Sequence, residues 1–309
     1  IIRLQNFSKA FGEKLVLDNV NLDIEQGRML GIVGMSGTGK TTLLNSIIGF
    51  LRPEDGDILF KEKSDYKSVY KHPLRVNRIF GFSPQQPSVY QQLTVQENLE
   101  HFAALYDVPD NKKSKNIDYL LKLVHLTDSR NRLANNLSGG MQKRLSIACA
   151  LVHDPNILIL DEPTADLDPI LRKQTWDVIN DVHKKGTTVI IASHFLNELD
   201  EYCDDIAIIH NQRVAFVNDY EDLKDNPNLE AFEIDLVTKS QNYRKVANSL
   251  KSYKRININA IEQIGNKLRI YSPDYKTLHT LIHVVESLKE DIVSVTLTKP
   301  RLREIFESL

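Results

Sequence analysis

Gly34-Met35-Ser36-Gly37-Thr38-Gly39-Lys40-Thr41 constrains this chain more than any other stretch, because it matches G-x-x-x-x-G-K-[ST] between an apolar run and a helix-like pattern. Met29–Val33 is the apolar run. Leu43, Leu44, Ile47 and Ile48 recur at helical spacing and stop at Gly49, which suits a C-cap. Glycines in such a loop let successive backbone N–H groups turn inward on a polyphosphate, and the following helix presents its positive end. Lys40 then reaches the β- and γ-phosphates as a point charge, and the Thr41 hydroxyl ligates Mg²⁺. The bland alternative, a chance glycine-rich turn, does not require a strand before it and a helix after it.

The rest of the chain supplies a matching frame. Ile157–Leu160 and Thr188–Ala192 are short, fully apolar runs, which predicts parallel strands buried on both faces between helices, an α/β fold. Ile1–Phe7, Leu15–Ile24, Ile58–Phe60 and Arg78–Phe82 read as further strands, with turns at Gly27 and at Pro53-Glu54-Asp55-Gly56. From Leu93 to Val152 the pattern is helical: Leu99, Phe102, Ala103 and Tyr106 share one face, and Leu120, Leu121, Val124 and Leu126 another. Asp222–Asn228 reads as a linker. Beyond it a separate β-α-β-β-α-β order is predicted. Its strands are Phe232–Val237, Arg255–Ile264, Lys267–Tyr271 and Ile292–Leu297, and its helical stripes are Tyr243–Tyr253 and Leu278–Leu288.

Bulk properties exclude several classes. A chain of 309 residues, 41% hydrophobic and 26% charged, is ordinary globular material for two domains at about 150 residues each. A net charge of -2 gives no general reason to bind nucleic acid. Cys149 and Cys203 are too few for a disulfide framework or a metal cluster, so a reducing cytosol is the expected compartment. No apolar run approaches the roughly 18 residues a membrane-spanning helix needs, and the opening residues read as a strand rather than a leader. Any work at a membrane is therefore expected to go through a partner.

Two other places carry chemistry. Asp161 and Glu162 end the apolar run Ile157–Leu160, where open α/β sheets bind their ligands. There Asp161 is expected to hold Mg²⁺ and Glu162 to act as general base on an attacking water. A strand-ending acidic turn before Pro163 is the structural alternative, which the upstream loop disfavours. Leu137-Ser138-Gly139-Gly140-Met141-Gln142 opens a helical run through Ala150. Ser138 suits an N-cap, and a plain capped helix has no need of Gly139 and Gly140 together, so a second phosphate-facing helix end is expected.

The order of Gly34–Thr42, Gln85, Leu137–Gln142, Ile157–Glu162, Ala165–Asp168 and His194 resembles the nucleotide-binding subunits of ATP-binding cassette transporters, over about Ile1–Asp222. The resemblance implies a P-loop NTPase cassette over residues 1–222, with a mixed sheet and a helical subdomain at about 86–152. A linker at 223–230 and a small α+β ferredoxin-like accessory domain at 231–309 complete the expected organisation. It implies ATP and Mg²⁺ as ligands, with Gly34, Met35, Ser36, Gly37, Thr38, Gly39, Lys40, Thr41 and Thr42 around the phosphates. Phe11 falls where an aromatic stacks on adenine, and Gln85 where a glutamine contacts Mg²⁺ and links to the transmembrane partner. Ser138 and Gly140 fall where the family binds the γ-phosphate held by the opposing subunit of a head-to-tail dimer, and Gly139 and Asp168 are expected among the nucleotide-binding residues as well. His194 matches the switch histidine near the γ-phosphate. Two departures stand out: Asp166 replaces a usually small residue, and Met35-Ser36 replaces a usual Pro-Asn pair.

Leu93-Thr94-Val95-Gln96-Glu97-Asn98-Leu99 and the closing Leu302–Phe306 are similar to ATPase subunits of drug, sodium and polysaccharide exporters. These pair with separately encoded permease subunits, which implies a peripheral place on the cytoplasmic face of the membrane. An importer ATPase with a regulatory domain is the alternative within the family. Outside it stand a soluble cassette ATPase acting on ribosomes or DNA and a binding-only regulator. One cassette, no sustained heptads between Lys40 and Asp161, and the presence of Lys40, Glu162 and His194 argue against those.

Overall fold

A computed structural model describes residues 1–217, 232–252, 258–273 and 276–298. The expected linker at 223–230, the start of the strand expected from Arg255, and the closing Leu302–Phe306 segment lie outside the described residues. The chain divides into two compact units, Ile1–Val217 and Asn218–Leu309.

In the first unit the elements run β1 (Ile2–Phe11), β2 (Lys14–Ile24), β3 (Met29–Val33), α1 (Lys40–Ile47), β4 (Asp55–Glu62), β5 (Asp65–Ser68), α2 (Pro73–Ile79) and β6 (Phe80–Ser83). They continue with α3 (Val95–Leu105), α4 (Asp110–Leu123), α5 (Gly139–Leu151), β7 (Ile157–Asp161), α6 (Pro169–His183), β8 (Thr188–Ser193), α7 (Leu196–Tyr202), β9 (Asp205–His210) and β10 (Arg213–Val217). Two sheets form. One is antiparallel, in the order β2-β1-β4-β5; the other runs β10-β9-β3-β8-β7-β6 and is parallel from β9 through β6. Every residue of β3, β7 and β8 is buried, as continuous apolar runs require when helices cover both faces.

Helix α1 joins the two sheets. Its Leu43, Leu44 and Ile47 share one apolar cluster with Phe7 and Phe60 of the first sheet and Ile159 and Ile190 of the second. The loop before α1 is thereby clamped at the C-terminal edge of the parallel sheet. Gly49 (φ 77) ends the helix, and its amide donates to Ser46 O at 2.9 Å. Helix α3 opens on a full capping box, Thr94 with Glu97.

Three strand expectations need correction. Arg78 and Ile79 belong to α2, which Pro73 starts from the first-turn position where its missing N–H costs nothing; the strand begins only at Phe80. The first strand runs on past Phe7 to Phe11. Asp55 and Gly56 belong to β4 rather than to a turn: Gly56 (φ 78) lies so close to β1 that a Cβ would sit 2.3 Å from Gln5 O, and the ladder shifts register there.

The second unit has β11 (Phe232–Thr238), α8 (Tyr243–Ser252), β12 (Ala260–Ile264), β13 (Lys267–Ser272), α9 (Thr277–Ser287) and β14 (Ile292–Thr298), in the antiparallel order β12-β13-β11-β14. Ile234 and Leu236 pack with Tyr243, Val246 and Leu250 of α8 and with Leu281, Val284 and Val285 of α9. Gly265 (φ 59) supplies the left-handed residue of the β12–β13 turn.

Candidate active site

Parallel pairing brings three strand ends to one edge. Val33 of β3 pairs with Ser193 of β8, and Asp161 of β7 with Ala192. The loop after β3, the carboxylates closing β7 and the histidine after β8 therefore meet by register alone.

The loop at Gly34–Gly39 is shaped by its glycines. Gly37 (φ 80) and Gly39 (φ 108) adopt left-handed backbone that a Cβ disfavours, and a Cβ on Gly34 would stand 2.5 Å from Thr38 Oγ1. Thr38 closes the loop by donating its hydroxyl to Met35 O at 2.9 Å. Lys40, only 8% exposed, folds over it: Nζ donates to Gly34 O at 2.8 Å and Met35 O at 3.3 Å and lies 3.7 Å from Glu162 Oε1.

Thr41 Oγ1 donates to Asp161 Oδ2 at 2.7 Å, while Asp161 Oδ1 is buried with no hydrogen-bond partner. Burial pushes the Asp161 carboxyl above the usual carboxylate range, against the opposing effect of the Thr41 hydrogen bond. A hydroxyl and a half-satisfied carboxylate side by side are the oxygen donor set a hard divalent cation takes. The residues present thus fit Mg²⁺.

Glu162, 6% exposed, has φ 47, a conformation costing a non-glycine residue of order 1–3 kcal/mol, which the surroundings must hold. Its amide donates to Ala192 O at 2.8 Å, and its Oε2 stands 2.8 Å from His194 Nδ1. One carboxylate therefore touches both Lys40 and His194. Asp166 also sits at positive φ, 62; Asp accepts that region with its short polar side chain, so the departure at this position has a backbone rationale.

A cleft of 560 Å³ opens over Lys40, Thr41, Glu162 and His194; Asp161, behind Thr41, does not line it. Ser36, Gly37, Gly39, Lys40, Thr41 and Thr42 line it from the loop and the first turn of α1, and Gln85, Glu162 and His194 line it too. Phe11, 51% exposed, is also part of the lining. Gly34, Met35 and Thr38 shape the loop without lining the cleft. Neither do Ser138, Gly139 and Gly140, at the start of α5, nor Asp168. Ser138 caps α5 by accepting from the Met141 amide at 3.4 Å. Gly139 faces open space, whereas Gly140 is packed: a Cβ there would meet Leu171 of α6 at 2.8 Å. Asp168 caps α6, accepting from Ile170 N at 2.9 Å and Leu171 N at 3.0 Å.

Three residues escaped sequence reasoning. Lys14 and Val16 line the cleft beside Phe11. The signal for Lys14 was there, since the two-residue turn Gly12-Glu13 pairs it directly with Phe11. Lys143 has no such signal. It is buried on α5, its ammonium pKa driven down by that burial, and it donates to the carbonyls of Gln85 and Glu162.

A glycine-rich loop between a central parallel strand and its helix, with acidic residues on the neighbouring strand end, defines a P-loop nucleotide-binding domain. Residues 17–165 match the family model described as "ABC transporter". The chain is 34% identical over 69% of its length to ABC transporter G family member 23 of Dictyostelium discoideum, and spans only 30% of the length of that relative. It is 29% identical over 99% of its length to the daunorubicin resistance ATP-binding protein of Streptomyces coeruleorubidus, covering 94% of it. A solved dimeric ATP-binding cassette bound to ADP and Pi superposes with a TM-score of 0.63 at 27% identity, over 71% of this chain and 98% of that one. The chain belongs to the ABC transporter family, and its first unit is an ATP-binding cassette. Among the described residues no helix is long and apolar enough to cross a membrane.

Proposed function

We propose that this chain binds MgATP in the 560 Å³ cleft and hydrolyses it to power a separately encoded membrane permease, as the ATPase subunit of an exporter. The observation that carries the reading is the convergence of Lys40, Glu162 and His194 on one point beside Thr41 and Asp161. Phe11 stacks on adenine. Loop amides and Lys40 hold the phosphates. Thr41, Asp161 and Gln85 would hold Mg²⁺, whose charge would neutralise the phosphate oxygens. Glu162 takes the proton of the attacking water, and His194, bonded to the same carboxylate, orients it. The relative named for daunorubicin resistance supports the exporter reading over the importer one, and no net basic charge favours a nucleic-acid partner.

Ser138 and Gly140 do not line the chain's own cleft, which favours a head-to-tail dimer in which they meet the opposing subunit's nucleotide. With every phosphate-facing motif in one chain, a homodimer is the simplest assembly. The subunit then sits on the cytoplasmic face of the membrane through its permease, with residues 231–309 as an accessory module without part in the chemistry.

Glu162→Gln tests the reading. Hydrolysis is expected to fall roughly 100-fold or more while ATP binding persists, and the variant should elute from size exclusion as a dimer when MgATP is present. Parental turnover in Glu162→Gln would show that this carboxylate is not the base.

A further inference from the structure

Helix α5 carries adjacent cations that sequence alone places on a surface, yet Lys143 and Arg144 are 7% and 6% exposed. They point to different jobs. Arg144 Nη1 donates to Val124 O at 3.0 Å, tying α5 to the end of α4. Lys143 Nζ donates to Glu162 O at 3.0 Å and to Gln85 O.

Gln85 and Glu162 belong to separate segments, one after β6 and one after β7, and both line the cleft. Glu162 is thus held on both sides of its Cα: its N–H donates to Ala192 O of β8, and its carbonyl accepts from Lys143. That double hold acts on the residue whose left-handed φ makes it prone to relax elsewhere. An ammonium has three donors, so one lysine can serve both carbonyls at once. The carboxylates of Asp161, Asp166 and Glu162 around it favour its charged form against burial.

We propose that Lys143 is a positioning residue for hydrolysis: one buried ammonium on α5 fixes the backbones of Glu162 and Gln85, setting the general base and the neighbouring glutamine against the nucleotide. This rests on the reading of the cleft as an ATPase site. Lys143 does not line the cleft and has no role in holding ATP. Because Ser138 also caps α5, the same link ties the helix end expected to meet an opposing subunit to the chain's own catalytic segments.

The test uses the full chain with Lys143→Met, which keeps the length and apolar stem, and Lys143→Arg, which keeps charge and donors. For Lys143→Met, kcat is expected to fall roughly 10- to 100-fold, the usual cost of a small misplacement of a catalytic group, with little change in KM for MgATP. Lys143→Arg is expected to recover most of that loss. Hydrogen exchange without nucleotide is expected to quicken in Lys143→Met at the segments around Gln85 and Glu162, and not in β3 or α1. Parental kcat in Lys143→Met overturns the proposal. So does a parallel loss of ATP binding and melting temperature that Lys143→Arg fails to rescue, because that pattern describes a residue of the core alone. An inactive parent chain would sink the hydrolysis reading only; unchanged exchange at the two segments would sink the positioning role whatever the parent does.

Discussion

Asp161 in the cassette and Asp235 in the C-terminal unit both stand on inner strands of their sheets, and their surroundings are opposite. Asp235 lies directly across the ladder from Arg269, whose Nε donates to Oδ1 at 2.8 Å and Nη2 to Oδ2 at 3.1 Å, with Lys267 adding a further contact. The Arg269 hydrogen bonds hold the Asp235 carboxyl below the usual range. Asp161 receives one hydrogen bond, keeps a buried oxygen unpartnered, and is pushed the other way by burial. A charge whose partners are complete serves the fold. A buried charge left incomplete costs stability, and persists where a ligand completes it.

The comparison can be broken at several points. Lys40→Ala removes the ammonium over the loop and should weaken ATP binding by roughly 10- to 100-fold, the scale of a lost charged hydrogen bond, as read by fluorescent nucleotide titration. Unchanged affinity would separate the loop from phosphate binding altogether.

Asp235→Asn should leave nucleotide affinity untouched and weaken the second unit by up to about 1 kcal/mol, roughly 4–8 °C in its melting transition. The pH sign follows from its lowered pKa. The carboxylate's contribution is complete above the ordinary Asp value of about 3.9 and is lost as pH falls through the lower folded value. The variant and parent should therefore converge in strongly acid solution. A melting difference that survived there would mean the pair is not what Asn removes.

The smallest expected effect has the opposite sign. Asp161→Asn keeps an oxygen for the Thr41 hydroxyl while removing the buried charge. Without nucleotide its cassette should melt about 2–4 °C higher, for a gain of roughly 1 kcal/mol, although hydrolysis is lost. A lower melting temperature would place Asp161 with Asp235, among the carboxylates that build the fold.

Much of the cassette could be read from residues one after another. The steric needs of Gly37 and Gly39, the two-sided apolar runs of β7 and β8, and the acidic pair closing β7 are local facts, set by φ angles and by strand period. The same holds for the helical stripes of the second unit, where Tyr243, Val246 and Leu250 repeat along one face. Reading failed where neighbours in space outvote neighbours in sequence. Arg78 and Ile79 carry strand-like composition but continue the turn that Pro73 begins. Gly140 looks like its neighbour Gly139, yet it is required by the approach of Leu171 from α6.

What the sequence determined by itself was a phosphate-shaped loop on a parallel α/β frame with two carboxylates and a histidine at strand ends, because each needs only its own segment to form. Tertiary structure decided which of these groups touch. Strand register placed Asp161 against Thr41 and His194 against Glu162, and the burial of α5 turned an unremarkable lysine into the link between Gln85 and Glu162. Those contacts depend on segments about 20 to 120 residues apart, and no local periodicity records which partner a folded chain will bring to a given side chain.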